Sequence, residues 1–528
     1  MLPRRSRLLS RAVTTRLLPR AVSTSMSRSY YSGSSGTPNY VDGAFVESET
    51  TIWHAVHCPA DGTLLTKTPE SLPSEVSAAV ASSLAAFPAW SRTAPLRRAE
   101  ILADLAVLVR ERADDLCELI VAENGKTGAD AEGDVLRGLQ VLQSCAAVPS
   151  LLLGDNAVVS GSVTTATYLE PIGVTVGICP FNFPAMIPLW SFPVALACGN
   201  THILSPAQQT PGASMLLAAL ASDAGVPDGV LNVVHGAAPS ASQLCNAPGV
   251  AAISFVGGGV AGRAVHAQAS AAGKRVQCNM GAKNHCVVMP DADPEDAARQ
   301  LASAAFGAAG QRCMALSVAV FVGGSQRAVM PELVRAAAAL TCGAGDAEDT
   351  DVPPLISLAS KERVERIVSD AVEAEGGGTA LQLDGRGLEG NLVGPTIVTI
   401  ADTESGCYTN EIFGPVLTCL EVGTLADALE VIRKNEYGNG ACILTESGAA
   451  ADAFVREVAA GQVGVNVPVP VPLPQFSFTG GGGSFQGDAH FYGKEGVRFN
   501  TRIKTVVSRW GGAKGGGKGG LSMPVLGR

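Results

Sequence analysis

From Ile172 onward the chain alternates between short β-rich runs and stretches of helical period. Ile172 to Ile178, Thr201 to Leu204, Val230 to Val234 and Ala252 to Val256 read as strands, and Ala213 to Ala224 as a helix among them. Strand and helix at this spacing make βαβ units, and those build a parallel sheet. A second block of the same kind begins at Cys286-Val287-Val288-Met289. It continues through a helix over Pro294 to Phe306 and strands at Val318 to Val322, Thr396 to Ile400 and Val416 to Val422. Two α/β units leave a cleft between them for a ligand. Ahead of both, Thr93-Ala94-Pro95 and the apolar positions Ile101, Leu102, Leu105, Leu108, Val109, Leu116, Leu119 and Ile120 predict one long amphipathic helix, stopped at Gly125. Val163 to Glu170 and Thr501 to Val507 alternate like exposed strands.

Composition sharpens this picture in a few places. At 528 residues the chain exceeds what one core organises, so subdomains are expected. A net charge of −10 gives no electrostatic footprint for nucleic acid. The thirteen cysteines form no CxxC pairs, which suits reduced thiols in an intracellular protein and offers neither a disulfide framework nor a metal site. Residues 1–35 differ from all that follows: Arg4, Arg5, Arg7, Arg11, Arg16, Arg20 and Arg28 alternate with Leu, Val and Ser, and no acid precedes Asp42. Such a start reads as an organellar transit peptide, and Arg28-Ser29-Tyr30-Tyr31-Ser32 as a processing site that favours the mitochondrial matrix. The plainer reading is a basic disordered arm. Pro171 to Gly199 is apolar enough to suggest a membrane span, but Pro180, Pro184, Pro188 and Pro193 argue against one, so no membrane partner is expected. The Gly/Lys tail over 511–528 reads as disordered.

Chemistry concentrates at Cys313, in the run Phe306-Gly307-Ala308-Ala309-Gly310-Gln311-Arg312-Cys313-Met314-Ala315. A cysteine behind a Gly-rich turn and beside a guanidinium is placed to ionise, whereas a lone cysteine is more often inert core. With Pro180-Phe181-Asn182-Phe183-Pro184 and Glu411-Ile412-Phe413-Gly414-Pro415-Val416-Leu417, this run resembles the aldehyde dehydrogenase superfamily. Asn279-Met280-Gly281-Ala282-Lys283-Asn284-His285, Gly464-Val465-Asn466-Val467-Pro468-Val469-Pro470 and Phe491-Tyr492-Gly493-Lys494 resemble its methylmalonate-semialdehyde branch.

The resemblance covers roughly residues 36–510. It implies an α/β fold of two doubly wound parallel-sheet domains: a Rossmann-like coenzyme domain over 36–150 and 172–285, and a catalytic domain over 286–470. A small β oligomerisation element over 151–171 and 495–510 implies a homodimer or homotetramer. The implied cofactor is NAD, with coenzyme A as co-substrate and a small semialdehyde as substrate.

Thiolate attack on an aldehyde makes an oxyanion, which needs donors aimed at the developing charge. The resemblance gives that role to the Asn182 amide and the Cys313 N–H; the plain reading of Asn182 is a turn residue. Hydrolytic relatives carry a Glu where this chain has Asn279, and an amide cannot serve as general base. Another nucleophile is then required, and the branch uses coenzyme A. Arg137 and Arg312 would hold the substrate carboxylate, since guanidinium is its natural partner. The expected reaction is oxidation of methylmalonate or malonate semialdehyde to propanoyl-CoA or acetyl-CoA with loss of the carboxylate, in valine and pyrimidine catabolism.

The coenzyme pocket is expected to use Cys179, Phe181, Ser205, Gln208, Gln209, Gly257, Gly258, Glu411 and Phe413. It departs from the family: Ser205 and Gln208 replace a Lys and a Glu that hold the adenosine ribose, and Gly258 replaces a Ser near the pyrophosphate. Two alternatives follow, a semialdehyde dehydrogenase with altered coenzyme preference, NADP included, and a non-catalytic dehydrogenase-fold subunit.

Overall fold

The computed structural model describes residues 35–160, 163–374 and 378–510. The basic start and the Gly/Lys tail lie outside the described residues, apart from Ser35 at the margin. Two large sheets carry the chain. In the first, parallel strands run in the order Arg275–Asn279, Val250–Val256, Val174–Ile178, Thr201–Ser205, Leu231–Val233. The chain starts in the middle at Val174, builds outward to Leu231, then returns to the other side at Val250. Ligands in open α/β sheets bind where strand order reverses in this way, beyond the carboxyl ends. Here that point lies between the loops after Ile178 and Val256. Two elements outside the predicted pattern close the sheet: the hairpin Asn39–Val41 and Ala44–Val46 at one edge, and Phe485–Gly487 antiparallel to Arg275–Asn279 at the other.

The second sheet orders Thr379–Leu383, Thr396–Ile400, Val416–Val422, Leu316–Val322, Asn284–Val288, Gly440–Leu444 and Gln462–Val465, parallel except for its first strand. Residues 280–283 join the sheets. The crossover sets the carboxyl ends of the first against the amino ends of the second. Both α/β domains are therefore as expected.

One expectation needs correcting. The long helix is two, Pro95–Glu111 and Ala113–Asn124, because Arg112 leaves helical geometry at φ −107°, ψ 21°; Gly125 does end the second, in the left-handed region at φ 83°. The prolines after Pro184 do not keep the chain from coiling, for Met186–Ala197 is a helix. Pro188 sits in its first turn, where the N–H has no intrahelical partner. Pro193 is internal, and burial of all twelve residues outweighs its lost bond. Among the described residues no helix is long and apolar enough to cross a membrane.

A separate antiparallel sheet of Asn156–Ser160, Val163–Pro171 and Thr501–Arg509 leaves Val158, Tyr168, Ile503 and Val507 exposed.

Candidate active site

The helix Pro294–Phe306 starts cleanly, with Asp293 accepting from the Asp296 N–H and Pro294 in its first turn. Beyond Gly307 the backbone turns sharply through Ala308, Ala309 and Gly310 at φ 50°, 51° and 69°. Two alanines in the left-handed region are strained. Gly310 has no substitute there, since a Cβ would stand 2.2 Å from the Gly414 carbonyl oxygen. This turn delivers Cys313 to the amino end of Leu316–Val322, facing the first sheet.

The thiol does not behave as its neighbour Arg312 suggests. Burial pushes the Cys313 thiol up to about 12, and Glu411 adds to the rise; the N–H groups of Cys313 and Met314 oppose it more than Arg312 does. Arg312 is occupied by an ion pair with Asp130. Ionisation by Arg312 is thus corrected: desolvation dominates.

Asn182 stands opposite, almost wholly buried. Its Nδ2 donates to the Gln311 carbonyl at 3.0 Å, which uses one of two amide hydrogens and leaves one for a substrate oxygen. The backbone of this loop is fixed from behind. Lys126 Nζ donates to the Asn182 carbonyl at 2.7 Å and pairs with Asp134 at 3.0 Å, while Asp134 accepts from the Met186 N–H at 2.7 Å. Asn124 donates to the Phe181 carbonyl at 2.9 Å.

A cavity of about 220 Å³ runs from Cys313 past Phe181, Gly257, Gly258, Glu411 and Phe413. Phe181 and Phe413 meet edge to face, centroids 6.0 Å apart, with Phe413 at φ 51°. Glu411 accepts from the Ala282 N–H at 2.9 Å, and burial raises its pKa. Arg363 donates to the Glu411 carbonyl at 3.1 Å. Aromatic walls at Phe181 and Phe413, a carboxylate at Glu411 and glycines at 257 and 258 suit the nicotinamide half of a dinucleotide. Gly258 is the N-cap of Gly259–Ala271, and a Cβ there would meet nothing within 4 Å, so the helix end is open to a phosphate. Gly257 is required, because a Cβ would strike the Phe255 ring at 2.6 Å.

The adenosine side is plainer. Ser205 is buried at its strand end, and its carbonyl accepts from the Cys179 N–H at 2.9 Å. Cys179 is itself buried, and its thiol is pushed up by desolvation. Gln208 and Gln209 are half-buried, and the Gln208 carbonyl accepts from Thr68 Oγ1 at 3.1 Å.

This arrangement has a family. The aldehyde dehydrogenase family profile matches residues 45–506, almost the whole described chain. The chain belongs to the aldehyde dehydrogenase family. It is 49% identical over 520 residues to a probable mitochondrial methylmalonate-semialdehyde/malonate-semialdehyde dehydrogenase [acylating] of Aedes aegypti, covering 97% of this chain and 99% of that one. The mitochondrial Homo sapiens protein of that name is 46% identical over 516 residues, covering 95% and 96%. Among solved structures, the methylmalonate-semialdehyde dehydrogenase of Oceanimonas doudoroffii superposes with a TM-score of 0.88 at 39% identity, over 90% of this chain and 98% of that one. A putative methylmalonate-semialdehyde dehydrogenase of Sinorhizobium meliloti 1021, complexed with NAD, gives 0.88 at 37% identity, over 90% and 98%.

Within this aldehyde dehydrogenase, the remaining candidates fall around the same cleft. Asp130 and Arg137 share the helix Gly128–Ser144, seven residues apart and so on one face, and the ion pair to Asp130 brings Arg312 onto that helix. Arg137 itself touches Gln140 at 3.4 Å. Asn279 is buried, and neither polar atom of its side chain has a hydrogen-bond partner among the described residues. Four functional residues escaped the sequence reading of the site. Lys126 and Asp134 act through Asn182; Arg363 fixes the Glu411 segment. Tyr492, buried at φ 41° with its ring edge-on to Trp190 at 5.1 Å, lies within electrostatic reach of both Cys313 and Arg137. The available signals were Tyr492's place in a quoted motif and that of Asp134 in the run Asp134-Val135-Leu136-Arg137-Gly138-Leu139-Gln140, which resembles the family's second arginine segment.

Proposed function

We propose that this enzyme oxidises methylmalonate semialdehyde, and malonate semialdehyde, to propanoyl-CoA and acetyl-CoA with NAD. One observation carries the reading: Cys313 and the Asn182 amide face the same cavity, while the position of a hydrolytic base holds Asn279. The Cys313 thiolate adds to the aldehyde carbon, and the resulting oxyanion accepts from the free Asn182 hydrogen and the Cys313 N–H. NAD, held by Glu411 and Phe413, would supply the hydride acceptor for this oxidation. The acyl group then rests on Cys313 as a thioester. Asn279 has no basic atom to activate water, so the thioester survives until a coenzyme A thiol displaces Cys313. Arg137 and Arg312 hold the substrate carboxylate, Arg312 in competition with Asp130; after oxidation its C–C bond breaks, carbon dioxide leaves (as bicarbonate once hydrated), and the electron pair stays on the α-carbon, which takes a proton from water.

Glu411 and Phe413 would hold the nicotinamide half, and Gly257 and Gly258 the diphosphate. Ser205 and Gln208 support a second reading, altered coenzyme preference, because both are neutral where ribose hydroxyls would be held. The relatives' mitochondrial names and the basic start support the matrix, with a role in valine and pyrimidine catabolism. The exposed apolar positions of the small sheet support a homo-oligomer. The test follows nicotinamide reduction with methylmalonate semialdehyde, NAD or NADP, with and without coenzyme A. CoA-dependent NAD reduction is expected. A folded protein inactive with both coenzymes overturns the reading in favour of a non-catalytic subunit.

A further inference from the structure

Cys313 is held on its far side by two side-chain amides that the reaction does not use. Asn284 opens the strand Asn284–Val288, and its Nδ2 donates to the carbonyl oxygens of Cys313 at 2.9 Å and Ala315 at 2.8 Å. Asn439, immediately ahead of Gly440–Leu444, donates from its own Nδ2 to the same Cys313 oxygen at 2.9 Å. These two strands are hydrogen-bonded neighbours, with His285 beside Ala441. One oxygen therefore receives a donor from each of two strands, which fills both its lone pairs. Both asparagines are buried.

A trans peptide carries its C=O and the following N–H on opposite edges of one plane. Every peptide bond among the described residues is trans. Pinning the Cys313 oxygen on the strand side consequently sends the Met314 N–H to the other edge, where the sulfur lies. We propose that Asn284 and Asn439 are positioning residues, which lock the Cys313–Met314 peptide so that the Met314 N–H faces the sulfur and steadies the thiolate. The inference rests on reading Cys313 as the nucleophile.

Three features favour it over simple packing. The turn just before Cys313 is strained at Ala308 and Ala309, so the peptide after it would relax unless held. Asn284 keeps its Oδ1 buried without a partner, a cost that an apolar side chain would avoid; the position needs the donors. The charged and titratable groups around the thiol are Glu411, Arg312 and Tyr492, with Arg137 acting on Tyr492 and Arg363 lining the same cavity, and the two amides act without adding charge to that set. The Met314 N–H is among the groups that favour the ionised sulfur.

The test is iodoacetamide alkylation of the full chain, without coenzyme, between pH 6 and pH 11. The sulfur displaces iodide, the thiol proton goes to buffer, and mass spectrometry of the Cys313 peptide gives the rate. Below its midpoint the log rate rises with pH, so a change in acidity displaces the whole line. Asn284→Ala and Asn439→Ala are expected to displace it upward by about half to one pH unit, making alkylation roughly three- to tenfold slower at each pH. Asn439→Asp and Asn284→Asp keep the side-chain volume where an alanine leaves a chain that does not fold, and should slow it further. A merely structural role predicts the reverse, since a loosened site admits reagent faster. Unchanged or faster alkylation of Cys313 overturns the inference. In the same assay with NAD added, a wild-type Cys313 no more reactive than the other twelve cysteines would instead overturn the nucleophile.

Discussion

The two halves of the coenzyme cleft are built differently. Around Cys313 four backbone carbonyls are held by side chains: Asn182 on Gln311, Lys126 on Asn182, Asn284 and Asn439 on Cys313, Arg363 on Glu411. Around Ser205 and Gln208 the contacts among the described residues are backbone to backbone or a single hydroxyl, and Ser205 stands where the family has a lysine. The first half is over-determined and holds strained geometry; the second offers shape and an open helix end. Chemistry depends on atoms placed to a fraction of an ångström, whereas dinucleotide binding can be spread over many weak contacts. The contrast predicts that the first half tolerates substitution badly and the second half can even be improved.

The largest effect falls on the nucleophile. Cys313→Ala should abolish NAD reduction while the protein stays folded, because no other described cysteine lines the cavity; residual CoA-dependent turnover would place the chemistry elsewhere. Next, Asn182→Ala removes one oxyanion donor, and kcat should fall by about 10²–10³ with little change in KM. A rise in KM with kcat unchanged would mean that Asn182 only shapes the loop.

How much of this was legible follows the same divide. Cys313, Asn182, Glu411 and Phe413 sit in local runs whose neighbours carry the signal. Lys126 and Asn439 do not, because they act on carbonyls 56 and 126 residues away, and such pairings exist only after folding. The strands of both sheets could be read from β-rich runs, with Thr396–Ile400 and Val416–Val422 matching to the residue. Arg112 gave no warning of the break between two helices, since its neighbours keep helical period. Arg312 misled for a related reason: adjacency in sequence says nothing of Asp130, which claims its guanidinium.

A smaller effect should come from rebuilding the plain half. Ser205→Lys with Gln208→Glu restores two charge-assisted bonds to the ribose, and NAD should bind about ten- to a hundredfold tighter by equilibrium titration. No gain would show that the strand end and the Gly258 cap already hold the adenosine side through backbone alone.

The smallest expected effect concerns the support beneath that half. Glu123 is fully buried; its Oε2 accepts from the Gly212 N–H at 2.9 Å, at the start of the helix Gly212–Asp223 that follows the Ser205 loop, and its Oε1 has no partner. Burial raises its pKa from 4.5 to about 8. A carboxyl that holds its proton more tightly folded than unfolded adds stability below pH 4.5, and that stability is lost as pH rises through about 8. Thermal midpoints between pH 5 and pH 9 should therefore fall with pH in the wild type, and the slope should flatten in Glu123→Gln, which has no proton to lose there. Equal slopes would mean that Glu123 is ionised in the fold and that the Gly212 N–H, despite the missing second partner, is enough to keep it so.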